Sequence, residues 1–295
     1  MKIAVLIPAL NEELTIAKVI NDFKRELPKA EIYVFDNNST DKTKELALQN
    51  KVNVIIVKRR GKGNVVRQMF ETVEADYYIL VDADDTYPAE EIHKLLKPIV
   101  DGTHDMSIGS RLKGFKKENK KLLHSFGNNM IRFAFKFAFP KNLNELLSGY
   151  RVMNIYFVKN INLLSAGFTI ETELTIKALE EGYKIIELPI DYRERPKGSE
   201  SILRSFSDGF SILQAILHLF RDYRPFQFFL FFSLVSFAIA IGFGNYIIIE
   251  LINFGKITNL TNFIFFILFI LISVHLIITG FLASSIKYHN KEIVN

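Results

Sequence analysis

Cysteine is absent from the 295 residues, which excludes a disulfide-stapled secreted module. The six histidines show no spacing that would assemble a zinc site. No Gly-x-Gly-x-x-Gly follows the first apolar run, which argues against a nicotinamide oxidoreductase. A P-loop is missing, and so is the Gly-x-Ser-x-Gly elbow of serine hydrolases. Charge is scarce in one region only. Beyond residue 224 the charged residues are Glu250, Lys256, Lys287, Lys291 and Glu292, whereas residues 1–224 carry 34 basic and 30 acidic ones. That segregation is how a chain with 23% charged residues keeps a mean hydropathy of +0.15. With 49% hydrophobic residues the chain is not disordered. Met1-Lys2-Ile3-Ala4-Val5 runs straight into a strand, and its apolar stretch is too short for a signal-peptide core.

Residues 229–249 and 260–286 contain no charge, and each run exceeds the roughly 20 residues that cross a bilayer. We read 225–295 as a transmembrane hairpin, with spans at about 228–250 and 261–286 and a short tail. Arg221 and Arg224 precede the first span, and Lys287 and Lys291 follow the second. Both basic flanks lie on one side, so the expected location is the cell membrane, with both termini and the preceding domain cytoplasmic. In residues 201–224, Leu203, Phe206, Phe210, Leu213, Ile216, Leu217 and Phe220 recur at three- and four-residue spacing. Such a stripe is an amphipathic helix, and we read it as lying in the lipid headgroup layer rather than packed on the domain. Two spans enclose little alone, so self-association through the hairpin is a further expectation.

Residues 1–200 read as alternating strand and helix. β-rich runs cover 2–7, 31–35, 52–57 and 77–81, with helical segments at 12–27, 40–49 and 64–75 between them. This predicts an α/β domain with a mainly parallel sheet covered on both faces. Ligands of such sheets bind beyond the carboxyl ends of the strands. The polar loops fall there: Pro8-Ala9-Leu10-Asn11-Glu12, Asp36-Asn37-Asn38-Ser39-Thr40-Asp41, Lys58-Arg59-Arg60-Gly61-Lys62-Gly63-Asn64 and Asp82-Ala83-Asp84-Asp85.

Asp82 and Asp84 stand two apart at a strand end, with Asp85 next. Clustered acids repel one another without a cation, and hard divalent ions take carboxylate oxygens. A helix cap would need only one of them or Thr86. Lys62 lies between Gly61 and Gly63 where a helix begins, and N–H groups there together with the basic side chains suit a pyrophosphate. Arg111, Lys113, Lys116, Lys117, Lys120 and Lys121 form one basic group, and Arg193, Arg195 and Lys197 another. They lack the interleaved aromatics of a single-strand nucleic-acid binder. An anionic lipid headgroup is the simpler partner, and no nucleic acid is expected.

Ile7-Pro8-Ala9-Leu10-Asn11-Glu12, the Asp36 to Asp41 turn and Asp82-Ala83-Asp84 resemble glycosyltransferase family 2, whose domain is the Rossmann-like GT-A fold. Gly109-Ser110-Arg111, Ser148-Gly149-Tyr150-Arg151 and Arg195-Pro196-Lys197-Gly198-Ser199-Glu200-Ser201 resemble its polyprenyl-phosphate branch, which includes dolichyl-phosphate mannose synthase. The resemblance implies transfer of a sugar from a nucleotide-sugar to a polyprenyl or dolichyl phosphate. It implies that Pro8, Ala9, Glu12, Asp36 and Asn37 hold the nucleotide, with Asn11, Lys62 and Ala83 in the same loops. Asp82 and Asp84 would hold Mg²⁺ or Mn²⁺ on the donor pyrophosphate. Arg111, Arg195 and Lys197 would hold the acceptor phosphate, so that Asp84, Arg111 and Arg195 carry the catalysis. A phosphate monoester has its second pKa near ~6 and needs no strong general base. Direct attack inverts the anomeric centre. Glu171 and Glu173 would either line the sugar pocket or form the solvent face of a helix.

Mannose synthases carry Asp-Leu-Gln-His-Pro where Asp84-Asp85-Thr86-Tyr87-Pro88 stands here. Glu145 replaces an Asp of the branch, and Ile202 replaces a Lys. With Gly63-Asn64-Val65-Val66-Arg67, these departures favour UDP-N-acetylglucosamine or UDP-glucose over GDP-mannose. Processive polysaccharide synthases share the acidic pair but need a Gln-x-x-Arg-Trp motif, and the chain has no tryptophan. The remaining alternative is a nucleotide-sugar-binding membrane scaffold without catalysis. Asp82, Asp84, Arg111 and Arg195 argue against it, because a binder has no need of acceptor cations.

Overall fold

The computed structural model describes residues 1–111, 133–139, 143, 145–167, 169–196 and 205–294. They divide into two compact units, Met1–Ala215 and Ile216–Asn295. The first unit begins with four strand–helix repeats. These are β1 (Ile3–Ala9) and α1 (Ile16–Glu26), β2 (Glu31–Asp36) and α2 (Thr43–Gln49), β3 (Asn53–Ile56) and α3 (Lys62–Thr72), then β4 (Tyr77–Leu80) and α4 (Ile92–Val100). β5 (Met106–Ser110), β6 (Arg151–Asn154), α5 (Ile155–Asn160), α6 (Ile170–Glu180) and β7 (Ile185–Pro189) follow.

The seven strands form one sheet in the order β3-β2-β1-β4-β6-β5-β7. β1 lies parallel to β2 and β4, β2 parallel to β3, and β5 parallel to β7. Successive side chains of a strand point to opposite faces. Val5, Ile7 and Ala9 therefore join the core packed on one face, and Ala4 and Leu6 join the core on the other. Both faces are covered, which is why β1 is apolar without alternation. α1 shows the complementary period: Ile16, Val19, Ile20 and Phe23 are its buried stripe.

The expected mainly parallel sheet is present, with one departure. β6 runs antiparallel to both β4 and β5. The chain leaves β5 at the carboxyl rim and re-enters the sheet from that same rim, so β6 starts where β1 and β4 end. Ser148, Gly149 and Tyr150, just before β6, arrive at the rim for this reason.

α7 (Ser205–Tyr223) spans the boundary between the units. Ile212, Ile216 and Phe220, four apart, are its buried stripe, while Phe210 and Leu217 are exposed. Leu203 lies outside the described residues. In the second unit α8 (Pro225–Phe254) and α9 (Leu260–Val294) pack antiparallel. Both contain stretches long and apolar enough to cross a membrane, Pro225–Phe254 and Leu260–His289. Small and hydroxyl residues bring them together. Ser233 Oγ meets the Ser273 carbonyl at 2.9 Å, and Ser236 Oγ donates to the Phe269 carbonyl at 2.9 Å. Gly255, at φ 68°, ends α8 in the left-handed conformation that glycine adopts freely. The Glu250 carboxylate then accepts from Thr258 Oγ1, Thr258 N and Asn259 N, which fixes the turn into α9.

Candidate active site

The loops beyond β1, β2, β4, β5 and β7 and the approach to β6 surround a cavity of about 400 Å³, an ordinary size for a small-molecule site. Its lining includes Pro8, Ala9 and Glu12 after β1, Asn37 after β2, Lys62 on α3, and Asp82, Ala83 and Asp84 after β4. Arg111, Glu171, Tyr192 and Arg195 complete the polar part of the wall. The two acids expected to act together are therefore together, and both sets of cations face them.

Asp84 is deeply buried. Its Oδ1 accepts from the Thr86 amide at 3.1 Å and the Thr86 hydroxyl at 2.6 Å, and its Oδ2 meets Arg195 Nη2 at 2.5 Å. Burial and the neighbouring Asp82 charge push the Asp84 carboxyl above its ordinary value, against the pull of Thr86 and Arg195. Asp82 Oδ1 lies 2.5 Å from Lys62 Nζ. Gly149 leaves room for Asp82: a Cβ there would sit 2.3 Å from Asp82 Oδ2, so a larger residue would force the carboxylate to shift. Asp85 takes no part. At φ 56° it turns away and pairs with Lys18 at 2.7 Å and Arg193 at 3.3 Å.

Lys62 Nζ bridges Asp82 and Glu171, the latter at 2.6 Å. Burial alone would lower its ammonium, but the two carboxylates outweigh that and hold it above the ordinary lysine range. The backbone around Lys62 departs from expectation. The amides of Gly63 and Asn64 donate to the Ala166 carbonyl at 3.0 and 3.3 Å, and Cβ atoms on Gly61 or Gly63 would strike Ala166 or Ser165 oxygens. The glycines thus serve a close approach of two loops. The Gly63 and Asn64 amides at the start of α3 are taken by this contact rather than open to a pyrophosphate, and Gly61, Lys62 and Val65 line the cavity.

Arg111 binds Glu145 through two nitrogens, at 3.2 and 2.9 Å, and stands 5.5 Å from the Tyr192 ring centroid. Burial pushes the Glu145 carboxyl up, yet Arg111 and the Leu147 amide outweigh it and hold the group below the usual carboxylate range. Arg195 bridges Asp84 and Glu12, the second at 3.5 Å. Its strand extension is anchored by the Arg193 amide on the Thr86 carbonyl at 2.8 Å. Lys197 lies outside the described residues, as do Lys113, Lys116, Lys117, Lys120 and Lys121.

Three further expected residues occupy scaffolding positions. The Asn37 amide nitrogen donates to the carbonyls of Val57 and Arg59, and its oxygen accepts from Gly61 N, so the side chain ties two rim loops together. Asn11 adopts φ 56°, a conformation asparagine tolerates, and accepts from Thr40 at the exposed rim outside the cavity lining. Asp36 also lies outside the lining. Its Oδ1 is buried without a hydrogen-bond partner, an arrangement that costs about 1–3 kcal/mol and suits a ligand donor.

Sequence reasoning overlooked Tyr87, whose hydroxyl accepts from Gly149 N at 3.1 Å, and gave Arg151 no role beyond its motif. Arg151 is fully buried, and four protein oxygens on Ser148, Thr175, Leu146 and Glu171 accept from its guanidinium. Burial lowers it to about 10. Glu171 and Glu173 are both buried rather than on a solvent face. Glu171 lines the cavity, whereas Glu173 pairs with Lys177 at 2.9 Å and accepts from the Leu164 and Ser165 amides. Nothing in the local sequence signals this, because residues 170–178 of α6 are buried without a break although Glu171, Thr172, Glu173, Thr175 and Lys177 are polar.

Asp82 and Asp84 fit a divalent cation. Both are hard oxygen donors, and two protein cations already sit on them. Among the described residues no cluster of three or more histidine or acidic ligands gathers there.

A family model described as Glycosyl transferase family 2 matches residues 4–161. Glycosyltransferase AglJ of Haloferax volcanii is 31% identical over 291 residues, covering 98% of this chain and 95% of that protein. Dolichyl-phosphate hexose transferase of the same organism is 30% identical over 224 residues, covering 75% of this chain and 95% of its own length. The crystal structure of glucosyl-3-phosphoglycerate synthase from Mycobacterium tuberculosis with Mn²⁺, UDP and phosphoglyceric acid aligns with a TM-score of 0.60 at 19% identity, over 75% of this chain and 78% of that one. That likeness concerns the GT-A fold. The chain belongs to glycosyltransferase family 2 and, by its relatives, to the polyprenyl-phosphate branch of that family.

Proposed function

We propose that this glycosyltransferase moves a sugar from a nucleoside-diphosphate donor to a polyprenyl or dolichyl phosphate, with inversion at the anomeric carbon. The observation that carries the reading is the opposition of charges in one cavity: Asp82 and Asp84 on one side, Lys62, Arg111 and Arg195 converging on it. Such a cavity suits two anions that must meet. Glu12, Asp36 and Asn37 belong to the nucleotide side together with Pro8, Ala9 and Ala83. Arg111 and Arg195, with Lys197, belong to the acceptor phosphate. The name of the dolichyl-phosphate hexose transferase supports this acceptor class.

The acceptor is largely dianionic near neutral pH, so no side chain must remove a proton from it. A phosphate oxygen attacks the anomeric carbon as the bond from that carbon to the donor diphosphate breaks, and the electron pair leaves with the nucleotide. Arg111, held in place by Glu145, orients the attacking phosphate, because a guanidinium presents paired donors in fixed geometry. Asp82 and Asp84 would hold Mg²⁺ or Mn²⁺, whose charge neutralises the departing diphosphate. The structural neighbour crystallised with Mn²⁺ and UDP supports this pairing of metal and nucleotide. The Thr86-Tyr87-Pro88 form favours UDP-N-acetylglucosamine or UDP-glucose as donor, ahead of GDP-mannose.

α8 and α9 form a membrane hairpin in this reading, with both termini and the catalytic unit cytoplasmic, α7 in the headgroup layer, and self-association through the hairpin. A lipid-borne acceptor explains why a polar transferase domain is joined to two apolar helices. The test is to incubate purified protein with polyprenyl phosphate and labelled UDP-glucose, UDP-N-acetylglucosamine or GDP-mannose, with Mn²⁺ or with chelator. Label entering the organic phase only with metal is the expected result. Nucleotide binding without transfer from any donor would favour a binding protein instead.

A further inference from the structure

Lys62 is nearly buried, and its ammonium is shared almost equally between Asp82 at 2.5 Å and Glu171 at 2.6 Å. The two carboxylates differ in what else they can do. Asp82 belongs to the acidic pair, and Gly149 leaves open the space beside its carboxylate that a Cβ would fill. Glu171 sits in the first turn of α6, where its backbone carbonyl accepts from Arg151 Nη2 and Thr175 Oγ1, each at 2.9 Å. Arg151 therefore fixes the backbone from which the Glu171 carboxylate reaches Lys62. Removing one member of a buried ion pair normally strands the other charge. A lysine whose only anion was Asp82 would hold that carboxylate against any competing cation.

From this geometry we infer that Glu171 is a positioning residue: it retains the Lys62 ammonium so that Asp82 can be yielded to a divalent cation. The inference rests on the reading that Asp82 and Asp84 take such a cation. Lys62 then keeps one carboxylate throughout and is never left buried without a partner. It also remains in the cavity wall, where the donor diphosphate would lie. Arg195 repeats the pattern more loosely, between Asp84 at 2.5 Å and Glu12 at 3.5 Å. The acidic pair is thus flanked on each side by a cation with a second carboxylate behind it.

The experiment is an Mn²⁺ titration of the full chain in detergent, followed by the electron paramagnetic resonance signal of free Mn²⁺, with saturating UDP and no acceptor. Glu171→Gln should weaken Mn²⁺ binding about tenfold. In a Lys62→Met background the same substitution should change affinity less than twofold, because no ammonium remains to be retained. Glu171→Asp, which keeps the charge, should stay within about threefold of wild type and serves if Lys62→Met fails to fold. A merely structural role for Glu171 predicts equal losses with and without Lys62, and loss in Glu171→Asp comparable to that in Glu171→Gln. Either result overturns the inference. Wild-type protein that binds no Mn²⁺ with UDP, UDP-glucose or GDP would overturn the underlying reading of the acidic pair as well.

Discussion

Lys62 and Ser233 are both buried polar side chains, and they are satisfied in opposite ways. Around the cavity two cations are shared: Lys62 between Asp82 and Glu171, Arg195 between Asp84 and Glu12. Between α8 and α9 the polar contacts are neutral and local, such as Ser233 to the Ser273 carbonyl and Ser236 to the Phe269 carbonyl. A shared ion pair can lose one partner to a ligand and keep the other. A neutral hydrogen bond between two apolar helices has no such reserve, and its loss changes little beyond packing. The difference separates groups arranged for exchange from groups arranged to stay.

The largest effect that could break this contrast is on turnover. Asp84→Asn should lower sugar transfer to polyprenyl phosphate by roughly 4 kcal/mol of barrier, about a thousandfold, while the melting curve stays cooperative. Full activity in that variant would mean that the acids of the cavity are as static as the serines of the helix pair. Arg151→Met comes next. It removes the guanidinium donor from the carbonyls of Ser148 and Leu146 and leaves that of Glu171 with Thr175 Oγ1, and we expect a loss of about 3 kcal/mol in denaturant unfolding. A loss under about 1 kcal/mol would show that the buried guanidinium is not the tie between the β6 approach and α6.

The Arg111–Glu145 pair gives a pH signature of intermediate size. Glu145 is held below its ordinary value, so its contribution is complete above the unfolded carboxylate pKa of about 4.3 and is lost as pH falls through the lower folded value. Thermal midpoints taken from pH 6 to 3 should fall less steeply for Glu145→Gln than for wild type. Parallel curves would remove Glu145 from the acid response. The smallest effect belongs to the helix pair. Ser233→Ala should cost about 0.6 kcal/mol in detergent unfolding and leave transfer unchanged, and a loss of transfer would mean that the serine contact reaches beyond packing.

The first half of the sheet was readable because each strand is a β-rich run ended by a polar loop, as Tyr77 to Leu80 precede Asp82. The second half was not. β6 is four residues long and opens with Arg151, a charge whose burial depends on acceptors just before it and on a distant helix, at Ser148 and Glu171. Nothing local announces a strand there, still less its reversed direction. The site divides the same way. Asp82 and Asp84 reveal themselves by spacing, whereas the Lys62–Glu171 bridge depends on α6 being placed beside α3. The α3 start shows the limit of local reading. Gly61 and Gly63 suggested an anion cradle, but their missing side chains admit the Ser165–Ala166 backbone instead.

The reversal of β6 has a bearing on how such a domain can diversify. The chain leaves β5 and returns to β6 where Gly109 N donates to the Tyr150 carbonyl, with Arg111 clasped to Glu145 just beyond. Phe135 and Phe139, 5.7 Å apart on that excursion, are buried yet join neither core of the sheet. Doubling the length of a flexible loop costs only about 0.6 kcal/mol. A change of length in the sequence between Arg111 and Glu145 should therefore cost little while that pair closes its ends, a graft that abolished cooperative melting being the contrary result. A domain wired in this manner can alter what is admitted at its mouth while its sheet and its acidic pair stay inherited.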